Sequence, residues 1–522
     1  MIRSSYRGTD DTKLYRLFND VSGGANTRIQ ANKIGDNQAV TLNNIDINIA
    51  GQRSKRLGYS VKANDVSNLP CKDITNFIRQ GVIDYLLLNE GTNLLSWKYD
   101  DASWVNIKND LTNTTYGSSI VAKESGLSPD DVVIYQNGTD NPIRIHINVS
   151  GTVDIQDLGT TAGTGTDSPP ISLVMCWYNN RLWVLKNDQL YFSDAYDTDY
   201  STSFDTTTNW YRIPVGAERA LIPTRDLGIV VMGKEAVWSI APSAVPVATD
   251  QAQALTLSYG CSAGKTAVVV GDDILWLAPD GVRALKRTVQ DKLQTGASEP
   301  LSYAIKDEID SINWLYAEKA CAVYFDNRYL LAVPTGTSTY NNKVLVYYPA
   351  QNAWVTWDLD VCSWAIHTID GAQVLFYGDS NNGQMYRMFS GTTDAGDAIV
   401  YTEESRDEDF NQKLTNKVGG WIEIEALAAG TGNSLQVYAK VNGGNYSLLG
   451  NVSLSNATAP ALPISLPFTL ADSYIVREKI SLDSLGAFRT LQIKITNSDA
   501  NTDDIIVFNT NVVTFNEELD DE

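Results

Sequence analysis

Seven strand-like units recur along this chain, opening at Tyr85, Val132, Arg181, Gly228, Asp273, Arg328 and Val374, at spacings of 47, 49, 47, 45, 55 and 46 residues. The openings read YLLLNEGTNLLSWKY, VVIYQNGTDNPIRIHI, RLWVLKNDQLYFSD, GIVVMGKEAVWSI, DILWLAPDGVRALKR, RYLLAVPTGTSTYNNKVLVYY and VLFYGDSNNGQMYRMF. Each pairs short runs of apolar residues across a turn of Gly, Asn or Asp, the pattern of antiparallel hairpins. A period of roughly 40 to 50 residues with several short strands per unit suits the four-stranded blade of a β-propeller. A lone blade has two apolar faces to cover. A closed ring covers both and leaves only short edges open. Two β-sandwiches with evenly spaced strands are the competing arrangement, and no unit carries the Trp-Asp signature of the common eukaryotic propeller repeat.

The expected fold class is therefore all-β: a β-propeller of about seven blades over 76–392, with a C-terminal antiparallel β-sandwich over 393–515. Residues 1–75 are expected to form an irregular arm with one or two strands, and 516–522 an acidic tail. The boundary near 392 follows a shift to the polar, acidic stretch GTTDAGDAIVYTEESRDEDF from Gly391. Beyond it, WIEIEAL from Trp421, SLQVYAKV from Ser434, TLQIKI from Thr490 and DIIVFNTNVVTF from Asp504 alternate with period two. One helix is expected over 299–313. There Ser298 is placed to cap, Pro300 fits the first turn, and Leu301, Ile305, Ile309 and Ile312 follow at helical spacing.

At 522 residues the chain exceeds what one core usually organises. Its aromatics are mostly Tyr (26) and Trp (12), residues suited to strands and to interfaces that are part dry and part wet. The formal charge of −22 argues against gripping nucleic acid through its phosphates, which runs on clustered Lys and Arg. Cys71, Cys176, Cys261, Cys321 and Cys362 are odd in number and widely separated, so neither a disulfide framework nor a zinc site is indicated. The N-terminus lacks the apolar core of a signal peptide, and no apolar run is long enough to cross a bilayer. A soluble protein made in a reducing cytoplasm, with no membrane insertion, is expected.

No catalytic, cofactor-binding or metal-binding residue is assigned, and no cofactor is expected. Gly260-Cys261-Ser262-Ala263-Gly264-Lys265-Thr266 has three residues between its glycines where a phosphate loop needs four, and a β-branched run follows instead of a helix. His146 and His367 lie in no nucleophile motif. The oxygen-rich stretch from Asp194 to Asp205 lacks the sixth-position Gly and twelfth-position Glu of a calcium-binding hand.

Three stretches carry a resemblance. The first is Leu42-Asn43-Asn44-Ile45-Asp46 followed by Gly51-Gln52-Arg53-Ser54-Lys55-Arg56-Leu57-Gly58-Tyr59. The second is Tyr191-Phe192-Ser193-Asp194 with Ile213-Pro214-Val215-Gly216 and the run Asp226 to Trp238. The third is Asp280-Gly281-Val282 with Leu301-Ser302-Tyr303-Ala304-Ile305. Over about residues 40 to 515 the chain resembles the β-propeller tail nozzle and head-to-tail stabilisation (tail hub) proteins of short-tailed bacteriophages.

The resemblance implies a structural virion protein of the tail, assembled in the host cytoplasm and without enzyme activity. It implies a homo-oligomeric ring, usually a hexamer, beside the portal, adaptor and tail-fibre proteins, enclosing a channel through which DNA passes without tight binding. Rigid wedge-shaped domains with heterologous interfaces that close by rotation suit such a ring. An alternative from another class is a propeller-type tail protein that binds or degrades polysaccharide, since Tyr and Trp also line sugar sites. A cellular interaction platform is a third reading.

Overall fold

The computed structural model describes residues 13–48, 53–63, 69–77, 79, 85–98, 101, 103–114, 116–159, 168–196, 199–247, 250–295, 297–427, 432–454, 475–497 and 503–516. The expected acidic tail beyond Asn516 lies outside them. Among the described residues strand far outweighs helix, which falls well below the roughly one-third share of ordinary globular proteins.

Short antiparallel sheets follow one another along the chain in a β-propeller arrangement. The first contains Cys71–Phe77, Tyr85–Glu90, Asn93–Lys98 and Val105–Lys108. The second contains Ser118–Lys123, Asp131–Gln136, Ile143–Ile147 and Val153–Asp157. The third contains Met175–Tyr178, Arg181–Lys186, Gln189–Phe192 and Trp210–Arg212. The fourth contains Glu218–Thr224, Gly228–Gly233, Val237–Ile240 and Gln253–Thr256. A three-stranded sheet of Val268–Val270, Asp273–Ala278 and Gly281–Ala284 comes next. A meander of Cys321–Phe325, Arg328–Val333, Lys343–Tyr348 and Ala353–Trp357 follows. The last sheet contains Val361–Ile369, Ala372–Asp379 and Met385–Met388, and its fourth strand is Tyr59–Ala63 from the N-terminal region.

The turn chemistry explains the tight hairpins. Asn179-Asn180, Asn187-Asp188, Asp326-Asn327 and Asp370-Gly371 all have both residues at positive φ, the two-residue turn whose twist matches paired strands and which Asn, Asp and Gly accept best. Period-two alternation then builds the ring. Leu86 and Leu88 pack against Phe376 of the last sheet, while Tyr85 and Leu87 of the same strand pack against Val133 and Ile145 of the second. Val132 and Ile134 face Leu182 and Val184 of the third, and Val230 and Met232 of the fourth face Ile274 and Trp276 of the fifth. Every second strand is thus covered on both faces, each buried aliphatic side chain contributing roughly 1.5–3 kcal/mol of transfer free energy.

The described part of residues 1–75 holds more strands than the expected one or two. Lys13–Leu17 pairs with Ile506–Asn516, and Ile45–Asp46 and Arg53–Lys55 join the same sheet. That seven-stranded sheet also holds Lys417–Leu427 and Ile475–Ser481. Ala39–Asn43 lies between Ala353–Trp357 and Thr402–Ser405, so the meander continues into a nine-stranded sheet with Leu491–Asn497, Ser434–Val441 and Ser447–Ser453. Ile422, Ile424 and Val512 of one sheet share a core with Leu435, Val437 and Ile493 of the other. The strand Cys71–Phe77 crosses the expected boundary at 75/76 and belongs to the first sheet.

The expected helix also differs. Residues Leu301–Ile305 form a 3₁₀ turn and only Lys306–Asp310 is α-helical. Ser298 does not cap it, because its hydroxyl is bonded to Asp291 and to its own neighbour's carbonyl. The apolar stripe is nonetheless used, with Ile305, Ile309 and Ile312 buried against the fifth sheet. A second helix, Leu285–Thr295, begins within the run that reads as a strand pair from Asp273.

Candidate functional site

The first stretch of the phage resemblance is a row of charged residues, and the structure buries that row between the propeller and the C-terminal strands. Arg53, Lys55 and Arg56 are each no more than 2% exposed. In an acidic chain such cations can be buried only where carboxylates or carbonyls meet them, because an unpaired buried charge costs several kcal/mol. Arg53 Nη1 lies 2.6 Å from Glu403 Oε1 and its Nη2 donates to Thr510 Oγ1 at 3.0 Å. Tyr401 donates to the other oxygen of Glu403 at 2.7 Å. Lys55 donates its ammonium to the Asp503 carbonyl, and burial lowers its pKa against the pull of Asp504 and Asp503. Arg56 grips Asp394 with both ends of its guanidinium at 2.8 and 2.6 Å.

Asn44 organises the centre of the junction. It sits at φ 56, a left-handed conformation that Asn tolerates, and its Oδ1 accepts from Arg56 Nε at 2.9 Å and from the Asp358 amide at 3.0 Å. Its Nδ2 donates to the Val400 carbonyl at 2.9 Å. Two residues on, Asp46 receives Arg328 at 2.7 Å and the Tyr348 hydroxyl at 3.0 Å, both from the meander. Gly58 passes so close to the linker that an added Cβ would lie 1.9 Å from the Thr393 carbonyl oxygen. Tyr59 then enters the last sheet, its ring 4.5 Å from that of Tyr386.

The third stretch closes on itself. Ser302 Oγ accepts from the Val282 amide at 2.9 Å, and a Cβ on Gly281, at φ 131, would lie 2.5 Å from that oxygen. In the second stretch, Asp188 Oδ1 accepts from the amides of Val215 and Gly216, each at 3.0 Å, and Ser193 accepts from the Leu182 amide. All three stretches do backbone-bracing work. Sequence reasoning missed this cluster: a run such as Arg53, Lys55 and Arg56 ordinarily reads as solvent-exposed, and spacing does not name Glu403 or Asp394 as the partners.

A cavity of about 490 Å³ is lined by residues of the first strands of several sheets, among them Cys71, Ser118, Met175, Leu221 and Cys362, and by the loops beside them. Lys72 donates to Asn113 Oδ1 at 2.6 Å, Arg219 pairs with Glu318 at 2.6 Å, and Lys265 lies 2.7 Å from Asp73 Oδ1. Lys265 belongs to the segment with partial phosphate-loop character. Its ammonium serves the Asp73 carboxylate, which also receives Ser119 Oγ at 2.6 Å. His146 bonds the Pro129 carbonyl at 2.9 Å in the second sheet, and His367 bonds Asn76 Oδ1 at 2.6 Å beside the first. Burial pushes the His367 imidazole down to about 4. In the stretch from Asp194, Asp199 and Asp205 each accept from their own following turn instead of converging.

No protein-family model matches the chain, and no curated protein does. Among solved structures, an exo-β-1,3-galactanase from Phanerochaete chrysosporium aligns over 88% of this chain and 100% of its own at 10% identity and TM-score 0.26. BBS1N, in complex with ARL6DN, aligns over 65% and 99% at 10% identity and TM-score 0.38. The extracellular domain of the putative one component system BT4673 from B. thetaiotaomicron aligns over 76% and 46% at 10% identity and TM-score 0.39. At these TM-scores the overlaps carry no argument about activity.

Proposed function

We propose that this chain is a structural protein of a short-tailed bacteriophage tail, whose copies form a ring, six in the proteins it resembles, around the DNA exit channel. On this reading the propeller has seven blades, with the meander from Cys321 to Trp357 as the sixth. The two facing sheets beyond residue 402 are then a C-terminal sandwich. Portal or adaptor and tail-fibre proteins are the neighbours, and no reaction is catalysed.

The observation that carries the reading is the buried junction. Arg53, Arg56 and Asp46 tie one N-terminal segment to the propeller, the linker and the C-terminal strands at once. A ring subunit must transmit load between neighbours without its domains swinging, and interdomain contacts left small and polar would permit swinging. Exposed apolar side chains offer surface for neighbours: Tyr15 and Leu17 are 67% and 56% exposed on an outer strand, and Leu414 is 89% exposed.

Composition analysis of gradient-purified phage particles tests the proposal. The chain should be a virion component with a copy number matching the axial symmetry. Its absence from particles, or specific binding or cleavage of a polysaccharide in a glycan array and reducing-sugar assay, would overturn it.

A further inference from the structure

Cys71 is the first residue of the innermost strand of the first sheet, and Cys362 is the second residue of the innermost strand of the last. These strands meet where the ring closes. The Cys362 thiol donates to the Cys71 carbonyl, which brings the two residues side by side. Local backbone geometry directs this meeting. The pairing register of Val361–Ile369 slips between Val361 and Ser363, so Cys362 occupies a bulge, a device that re-aims a side chain. Gly378 opposite leaves room for the Cys71 sulfur, since a Cβ there would lie 2.4 Å from it. Both cysteines line the cavity of about 490 Å³, Cys362 half-buried and Cys71 buried.

We propose that Cys71 and Cys362 are a cross-linking site, forming a disulfide that joins the first and last sheets of the propeller once the protein meets an oxidising small-molecule disulfide. The Cys362 thiolate attacks one sulfur of that oxidant, breaking its S–S bond and releasing one thiolate, which takes up a proton. Cys71 then loses its proton and attacks the Cys362 sulfur, expelling the second thiolate, which is protonated in turn. The protein loses two electrons and two protons, and the oxidant becomes two thiols. The link closes a covalent loop over the 291 residues that separate the pair, constraining the unfolded chain and bracing the seam.

The test treats the intact protein with 2-hydroxyethyl disulfide, then counts free thiols under denaturing conditions and maps cross-linked peptides by mass. The expected result is a loss of two of the five thiols, one peptide pair joining positions 71 and 362, and a higher melting midpoint that dithiothreitol reverses. Cys321→Ser should leave this loss of two thiols unchanged, whereas Cys362→Ser should abolish it. Retention of all five thiols, a hydroxyethyl adduct on Cys362 without a cross-link, or a cross-link to Cys321 would overturn the proposal. Because the mapping uses the unaltered protein, a variant that fails to fold does not blunt it.

Discussion

Arg53 and Glu403, 350 residues apart in sequence, meet at 2.6 Å with their side chains only 1% and 4% exposed. The pair fastens the strand Arg53–Lys55 to the strand Thr402–Ser405, and so joins the two large sheets that share the C-terminal core. Removing one partner leaves the other charged and buried, which costs about 3–5 kcal/mol. Arg53→Met and Glu403→Leu should therefore each destabilise strongly in urea titration. The double variant should recover much of the loss, because an apolar pair of similar volume fills the space without a stranded charge. Equal, additive losses would contradict this.

Gly58 should tolerate no side chain. A Cβ 1.9 Å from the Thr393 carbonyl oxygen meets backbone, which cannot rotate away. Gly58→Ala is expected to cost about 3 kcal/mol or more, at the upper end of overpacking penalties, or to prevent soluble expression. A melting midpoint equal to wild type would refute the packing account of the junction.

Ser302→Ala should cost roughly 1–3 kcal/mol in chemical denaturation, because it leaves the buried Val282 amide without an acceptor. Ser302→Thr should recover part of the loss, and indifference to Ser302→Ala would show that the bond contributes nothing net.

Asp360 gives a pH signature. Burial, with Asp379 and Asp358 nearby, raises its pKa from 3.8 to about 6. Between those values the folded state holds a proton that the unfolded chain has released, so this group's contribution to stability falls as pH rises through the window. Asp360→Asn should gain stability relative to wild type between about pH 4 and pH 6 and hold the gain above. His367, lowered from 6.5 to about 4 by burial, acts with the opposite sign. There the unfolded state binds the extra proton, so stability falls as pH drops through that window, and His367→Gln should flatten the loss. Urea titrations at each pH would contradict either assignment if the difference from wild type did not change.

The hairpins were the legible part of this molecule. Asn179-Asn180, Asn187-Asp188 and Asp326-Asn327 announce tight turns by residue type, and the seven openings from Tyr85 to Val374 all fall on strands. What period-two patterning cannot convey is which distant strand completes a sheet. Tyr59–Ala63 closes the last sheet, and Ala39–Asn43 splices the meander to the C-terminal strands, yet both lie in a stretch without long periodic runs. The helix Leu285–Thr295 was hidden because it follows the strand Gly281–Ala284 directly, with no turn residue to mark the change. The junction was not legible: Arg53, Lys55 and Arg56 stand together in sequence as an ordinary charged run, and Glu403, Asp503 and Asp394 are brought to them only by the fold.

The ring reading also bears on DNA. An acidic protein that encloses a moving duplex should avoid holding its phosphates by counterion release, and screening over about 8 Å confines the effect to side chains facing the bore. The isolated protein is therefore expected not to retard duplex DNA in a mobility-shift assay at physiological salt. Tight retardation there would contradict passage without sticking.

If this chain is an axial tail protein, as proposed, averaged electron-microscopy density of the particle at a resolution that traces strands decides its place. Propeller-shaped density for this chain, repeated in a closed, rotationally symmetric ring on the tail axis with carboxylates outnumbering Lys and Arg along the bore, is the expected result. Density for the chain only in peripheral fibres, or a bore dominated by Lys and Arg, would contradict it.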